Sequence, residues 1–138
     1  MTQVREAKPA DYPAIGRIQA ASPEAAQWPL GDYSAFKMLV ALVDEAIAGF
    51  CAWRQTAPDE AELLNLAVDP AFRRQGAAQA LIAELARTAH GDIFLEVAQP
   101  NQAAIALYER SGFQGIGVRP GYYGHGKIPA VVMKKRLC

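Results

Sequence analysis

At 138 residues the chain fits one domain and leaves no room for a second of usual size. Apolar residues make up 51% and charged residues 20%, enough apolar material for a packed core, which excludes general disorder. Lys and Arg number 14 and Asp and Glu 14, so the basic excess of a protein that lives on nucleic-acid phosphates is missing.

Thr2 to Ala7 reads as a short first strand, and it lacks the apolar segment of a signal peptide. Pro9-Ala10-Asp11-Tyr12-Pro13 starts a helix, because proline and an acidic side chain suit a first turn whose amides have no intrahelical acceptor. Ile15, Ile18 and Ala21 supply its expected buried face. Ser22 to Asp32, with Pro23, Pro29 and Gly31, is loop-like, and a short second helix is expected near Ser34 to Leu39. The longest apolar runs, such as Met38 to Val43, are strand-sized and far below the ~18 residues of a membrane span. Two strands, Ala46 to Gln55 and Glu62 to Val68, flank the turn residues Thr56, Ala57, Pro58 and Asp59, which predicts a hairpin. Cys51 lies in an apolar run and reads as core; with Cys138 alone beside it there is no disulfide framework.

After Asp69-Pro70 a Gly76-containing loop leads into a helix, with Ala78, Leu81, Ile82, Leu85, Ala86 and Ala89 at helical spacing and Gly91 as its stop. His90 and His125 stand apart, and no metal-ligand spacing is visible. Ile93 to Val97 is a short buried strand. Pro100-Asn101 opens another helix, which carries Ile105, Leu107 and Tyr108 and ends at Gly112. Phe113 to Val118 and Ala130 to Lys134 close the order, and Lys134-Lys135-Arg136 reads as a solvated strand edge. The fold class is α+β (mixed α/β), in a soluble cytoplasmic domain without metal, membrane or direct nucleic-acid contact.

Three segments carry candidate chemistry. From Asn65 to Ala78 a strand ends, a basic glycine-containing loop follows, and a helix begins. Free helix-start amides and the positive end of the helix dipole then converge on one point, an anion site helped by Arg73 and Arg74 and kept open by Gly76, Ala77 and Ala78. An ordinary helix start with two surface arginines has the same composition. Glu96 is the only charge within Ile93-Phe94-Leu95-Glu96-Val97. A carboxylate is costly to desolvate there, which suits a general base; strand alternation toward solvent or an arginine partner is the plainer account of the same pattern. Asn101, Ala104 and Tyr108 share a helix face, with Asn101 fit to cap the helix and Tyr108 either lining a ligand or packed on the core. Gly121 to Lys127 has the glycine and lysine spacing of a Walker A loop, but Ile128 and Pro129 follow where a magnesium-binding hydroxyl and a helix are needed.

Taken in order, Asn65 to Ala78, Glu96 to Asn101 and Ala104 to Phe113 resemble the GNAT superfamily of acetyl-CoA-dependent N-acetyltransferases. The family loop Gln/Arg-x-x-Gly-x-Gly/Ala is met by Arg73, Gly76 and Ala78, and its N-x-x-A-x-x-L-Y-x-x-x-G-F pattern by Asn101, Ala104, Leu107, Tyr108, Gly112 and Phe113. The resemblance is tightest from Leu63 to Phe113. Within the superfamily the chain is similar to the RimI-type branch, which acetylates the N-terminal alanine of a bacterial ribosomal protein. That branch is indicated by the L-N-L-A-V-D-P stretch, L-E-V around Glu96, Tyr122-Tyr123, and Trp28-Pro29 in reversed order. Thr88 to Asp92 is several residues short, and Gly124 to Lys127 replaces a more acidic turn.

The resemblance implies a central mixed, mostly antiparallel sheet of about six to seven strands flanked by about four helices. It implies acetyl-CoA as co-substrate, with its pyrophosphate on the amides of Arg74, Gln75, Gly76, Ala77, Ala78 and Gln79 and its pantetheine arm along Leu66, Ala67 and Val68. A backbone N–H near Val68 would polarise the thioester carbonyl. Glu96 would act as base through water, Tyr108 as acid to the departing thiolate, and Asn101 would hold the cofactor or the surroundings of Tyr108. Trp28, Tyr122 and Tyr123 would bind the acceptor, a protein N-terminus and specifically that of a ribosomal protein. A GNAT enzyme for a small amine or free amino acid, and a non-catalytic CoA-binding module, are the alternatives.

Overall fold

The computed structural model describes residues 2–123 and 128–136, without the side chains of Tyr122 and Tyr123. The strands are β1 (Thr2–Glu6), β2 (Lys37–Val43), β3 (Ala46–Ala57), β4 (Glu60–Val68), β5 (Asp92–Ala98), β6 (Gln114–Tyr123) and β7 (Ile128–Lys135). The helices are α1 (Tyr12–Ala20), α2 (Ala77–Thr88) and α3 (Gln102–Arg110), with 3-10 turns at Pro9–Asp11, Leu30–Ala35 and Pro70–Phe72. The strands form one sheet in the order β1-β2-β3-β4-β5-β7-β6. β1 with β2, β2 with β3, β5 with β7 and β6 with β7 run antiparallel, whereas β4 with β5 runs parallel. The mixed, mostly antiparallel α+β fold expected from the sequence is therefore present. The chain divides into two compact units, Met1–Arg54 with Leu63–Thr88 and Gln55–Glu62 with Ala89–Cys138.

In the first unit, Asp11 organises the start of α1. Its carboxylate accepts the Lys8 N–H at 2.7 Å and both Arg5 guanidinium nitrogens at 2.7 and 3.1 Å. α1 buries Ala14, Ile15, Ile18 and Gln19; Ala21, expected on that face, is exposed. Ile15 and Ile18 pack with Tyr33, Met38, Val40, Phe50, Ala52 and Ala67 in one core cluster. The helix expected near Ser34 to Leu39 is replaced by the Leu30–Ala35 3-10 turn and the beginning of β2. The strand-sized apolar run Met38 to Val43 forms most of β2, although it has no alternation. Met38 and Val40 join the α1-side core, and α2 packs against β1 and β2, so the strand is covered on both faces. Cys51 is fully buried, and burial pushes its thiol up to about 12, an inert core residue as read from the sequence.

In the second unit, the parallel ladder is short. Glu60, Ala61 and Glu62 pair with Asp92, Ile93 and Phe94, while β4 runs on to Val68 and β5 to Ala98. Gly112 (φ +97°) ends α3, where Phe113 N–H donates to the Tyr108 carbonyl at 2.9 Å. The lysines read as a solvated edge are engaged: Lys134 pairs with Asp92 at 3.1 Å and Lys135 donates to the Ser111 carbonyl at 2.7 Å. β6 extends beyond Val118 to Tyr123, with register shifts against β7 on both sides of its middle section. Residues 124–127, where the glycine-lysine spacing falls, lie outside the described residues.

Candidate active site

The first unit holds the residues assigned to the cofactor other than Asn101. Gly76 adopts φ +82°, and a Cβ built on it would meet nothing within 4 Å. It supplies the carbonyl that accepts the first α2 bond, from Ala80 N–H at 2.9 Å. The amides of Ala77, Ala78 and Gln79 therefore precede the helix ladder and have no intrahelical acceptor. A phosphate-bearing ligand such as acetyl-CoA suits this donor set: several N–H groups, the positive helix end and two adjacent arginines. Arg74 is also left-handed (φ +66°), and Arg73 pairs with Glu24 at 3.0 Å at the surface. The Gln75 carbonyl accepts the Thr2 hydroxyl at 3.3 Å.

Leu66, Ala67 and Val68 form the end of β4. Here β3 comes unusually close. A Cβ on Gly49 would lie 2.9 Å from the Ala67 carbonyl oxygen, and Asp69 N–H donates to the Ala48 carbonyl at 2.7 Å. Gly49 is thus demanded by that approach, a requirement that nothing in its local sequence announced.

Trp28 lies in the loop after α1, its ring 5.2 Å from Tyr33 and 5.5 Å from Phe36 between centroids. With Gly31, Asp32, Ala35 and Phe36 it lines an open, mostly apolar groove of about 460 Å³. Under this loop runs a buried polar network that the sequence reading missed. Asn65 Nδ2 donates to the Ala26 carbonyl at 3.0 Å and to the Tyr33 hydroxyl at 2.9 Å, and Asn65 Oδ1 accepts Ala26 N–H at 3.2 Å. The Tyr33 hydroxyl donates to Gln19 Oε1, and Gln19 Nε2 donates to the Trp28 carbonyl at 2.8 Å. Burial pushes the Tyr33 phenol up, against a smaller opposing effect of the Asn65 bond, so it stays a donor. The signal available was a lone asparagine inside an apolar strand, which must find partners when buried.

The second unit holds the residues assigned to proton transfer. Glu96 alternates with the buried Leu95 and Val97 on β5, and its side chain is 16% exposed. Its Oε1 lies 2.7 Å from Arg119 Nη2, so the arginine partner weighed from sequence is present as Arg119. Tyr108 is buried on α3 with its ring 5.7 Å from Phe113, edge to face. Asn101 caps α3 as read: its Oδ1 accepts Ala104 N–H at 3.2 Å, which leaves the amide nitrogen for any other partner. Tyr122 and Tyr123 have their backbone at the end of β6, and their side chains lie outside the described residues.

The mixed, mostly antiparallel sheet is one shared with a known N-acetyltransferase. The Acetyltransferase (GNAT) family matches residues 1–113, and the chain belongs to that family. It is 44% identical over 85 residues to the [ribosomal protein bS18]-alanine N-acetyltransferase of Escherichia coli (strain K12), 57% of each chain. It is 38% identical over 89 residues to the N-alpha-acetyltransferase RimI of Mycobacterium tuberculosis, 64% of this chain and 56% of that one. The chain thus spans little more than half the length of these curated relatives. The crystal structure of the ribosomal-protein-S18-alanine N-acetyltransferase from Escherichia coli superposes with a TM-score of 0.82 at 30% identity, covering 99% of this chain and 94% of that one.

Proposed function

We propose that the chain is one acetyltransferase domain that moves the acetyl group of acetyl-CoA to the α-amine at a protein N-terminus, with the N-terminal alanine of a ribosomal protein as acceptor in the cytoplasm. The observation that carries the acetyl-CoA part is the helix start at Gly76, whose open amides and left-handed glycine suit a pyrophosphate. The acceptor part is supported by the identity to enzymes named for alanine N-acetylation.

Bound acetyl-CoA supplies an activated thioester. The helix-start amides of Ala77, Ala78 and Gln79 bind its phosphates, Arg73, Arg74 and Gln75 border them, and the backbone of Leu66, Ala67 and Val68 offers an edge for its arm. Glu96 would take one proton from the acceptor ammonium and release it to solvent, leaving a free amine whose nitrogen would bond to the acetyl carbon at the expense of the carbon–sulfur bond. The second proton shed by the nitrogen would restore the one that Tyr108 gives up. Tyr108 gives a proton to the departing sulfur, and Asn101 holds the first turn of the helix that carries Tyr108. Trp28, with Tyr122 and Tyr123, receives the first residues of the peptide, where indole and phenol groups bond backbone while presenting apolar walls.

Mass spectrometry of a peptide panel incubated with acetyl-CoA tests this reading. Peptides beginning with Ala or another small residue are expected to gain one acetyl group, and N-terminally blocked peptides none. Faster acetylation of free amino acids or polyamines than of every peptide would reverse the acceptor assignment.

A further inference from the structure

Asn65 spends its whole carboxamide on backbone and on one hydroxyl. Both nitrogen-borne protons and both oxygen lone pairs are used: Ala26 C=O, the Tyr33 hydroxyl, Ala26 N–H, and Leu66 N–H at 3.0 Å. The two bonds to Ala26 reproduce, with a side chain, the paired exchange of a strand ladder. Two residues further on, the Trp28 carbonyl is held by Gln19, which Tyr33 links back to Asn65. Residue 28 is therefore anchored by the same buried group that fixes Leu66 at the end of β4. Gln19, Tyr33 and Asn65 are 8%, 0% and 6% exposed, so water does not stand in for a lost member at low cost.

We propose that Asn65 is a positioning residue that sets the acceptor loop, and through it Trp28, against the strand segment assigned to the acetyl donor. This rests on the reading of Trp28 as an acceptor contact and of residues 66–68 as the donor edge. Asn65 itself touches neither substrate. Its loss loosens binding of the peptide while the helix-start amides at 77–79 and the proton-transfer groups stay as they are.

The test combines kinetics with a readout that needs no turnover. Asn65→Ala is expected to raise the peptide KM by about tenfold, with kcat and acetyl-CoA Kd within about twofold of the parent. In a Trp53→Phe background, where Trp28 is the sole tryptophan, Asn65→Ala is expected to shift the emission to the red as the indole meets water. Tyr33→Phe keeps the ring and removes only the hydroxyl link, so a smaller change of the same kind is expected, and this variant decides the matter if Asn65→Ala does not fold. Unchanged peptide KM with weakened acetyl-CoA binding, or a lowered melting temperature with unchanged kinetics and emission, would overturn the proposal. A parent protein inactive on every peptide would overturn the functional reading alone, whereas unshifted Trp28 emission would overturn the anchoring alone.

Discussion

Arg119 on β6 reaches past β7 to Glu96 on β5, its Nη2 2.7 Å from the carboxylate Oε1. The carboxylate is mostly buried and the guanidinium more than half exposed. On the proposed reading, an acceptor ammonium would carry the same charge as Arg119 and compete for the same oxygens. Glu96→Gln is expected to lower kcat/KM by about 100-fold, most severely at low pH where the acceptor is protonated. Arg119→Gln keeps Glu96 itself and is expected to cost about tenfold or less. Wild-type rates for Glu96→Gln across about pH 6 to 9 would remove the base assignment.

Tyr108→Phe preserves the edge-to-face contact with Phe113 and deletes only the hydroxyl. Turnover is expected to fall by about 100-fold with acetyl-CoA affinity nearly intact, since a proton donor to the leaving sulfur acts only as that bond breaks. Equal losses in turnover and in cofactor binding would show that the phenol holds ligand instead.

Acetyl-CoA at about 100 times its Kd should stabilise the folded chain by about 2.7 kcal/mol, seen as a rise in Tm. Gly76→Glu adds bulk and negative charge in the open space beside residue 76, at the start of α2, and strains a φ of +82°. The ligand-induced rise is expected to vanish in this variant. A retained shift in differential scanning fluorimetry would move the phosphate site elsewhere.

Asp11 links β1 to the start of α1, and the Arg5 guanidinium, with the Lys8 amide, holds its carboxyl below the usual carboxylate range against the opposing effect of burial. Because the folded value is the lower one, the stabilisation is complete above the unfolded carboxylate range and is lost as pH falls through the folded value. Asp11→Asn is expected to be less stable by about 2 kcal/mol at neutral pH. That difference should narrow as pH falls below about 4. Urea unfolding of both proteins at neutral and acid pH measures it, and a gap independent of pH would refute the ion-pair account.

Much of this was legible in the chain. Gly76, Asn101 and Gly112 stand at the helix ends where their conformational and capping preferences put them. β4 and β5 matched because their alternation or apolar runs were bounded by turn residues. β2 shows in the sequence only as a strand-sized apolar run, because burial on both faces erases the period of two. Ala21 and Gln19 exchanged expected places because a glutamine with buried partners is as much core as an alanine. Asn65, Gln19 and Tyr33 meet from three separate stretches of chain, and so do Glu96 and Arg119 on non-adjacent strands; no local pattern encodes such meetings.

The junction between α2 and β5 has a consequence for engineering. Gln55 bonds His90 through both ends of its amide, at 2.6 and 3.1 Å, and Asp92 N–H donates to the Asp59 carbonyl at 3.1 Å. Between them Gly91 holds φ +78° with the Asp59 carbonyl where a Cβ would stand. A surface connection of this kind ordinarily offers a place to graft an epitope, splice a reporter or open new termini. Here the length of the segment is itself fixed, because one added residue displaces His90 from Gln55 or drives a side chain into residue 59. Cargo placed between α2 and β5 would be borne by the β3–β4 turn as well.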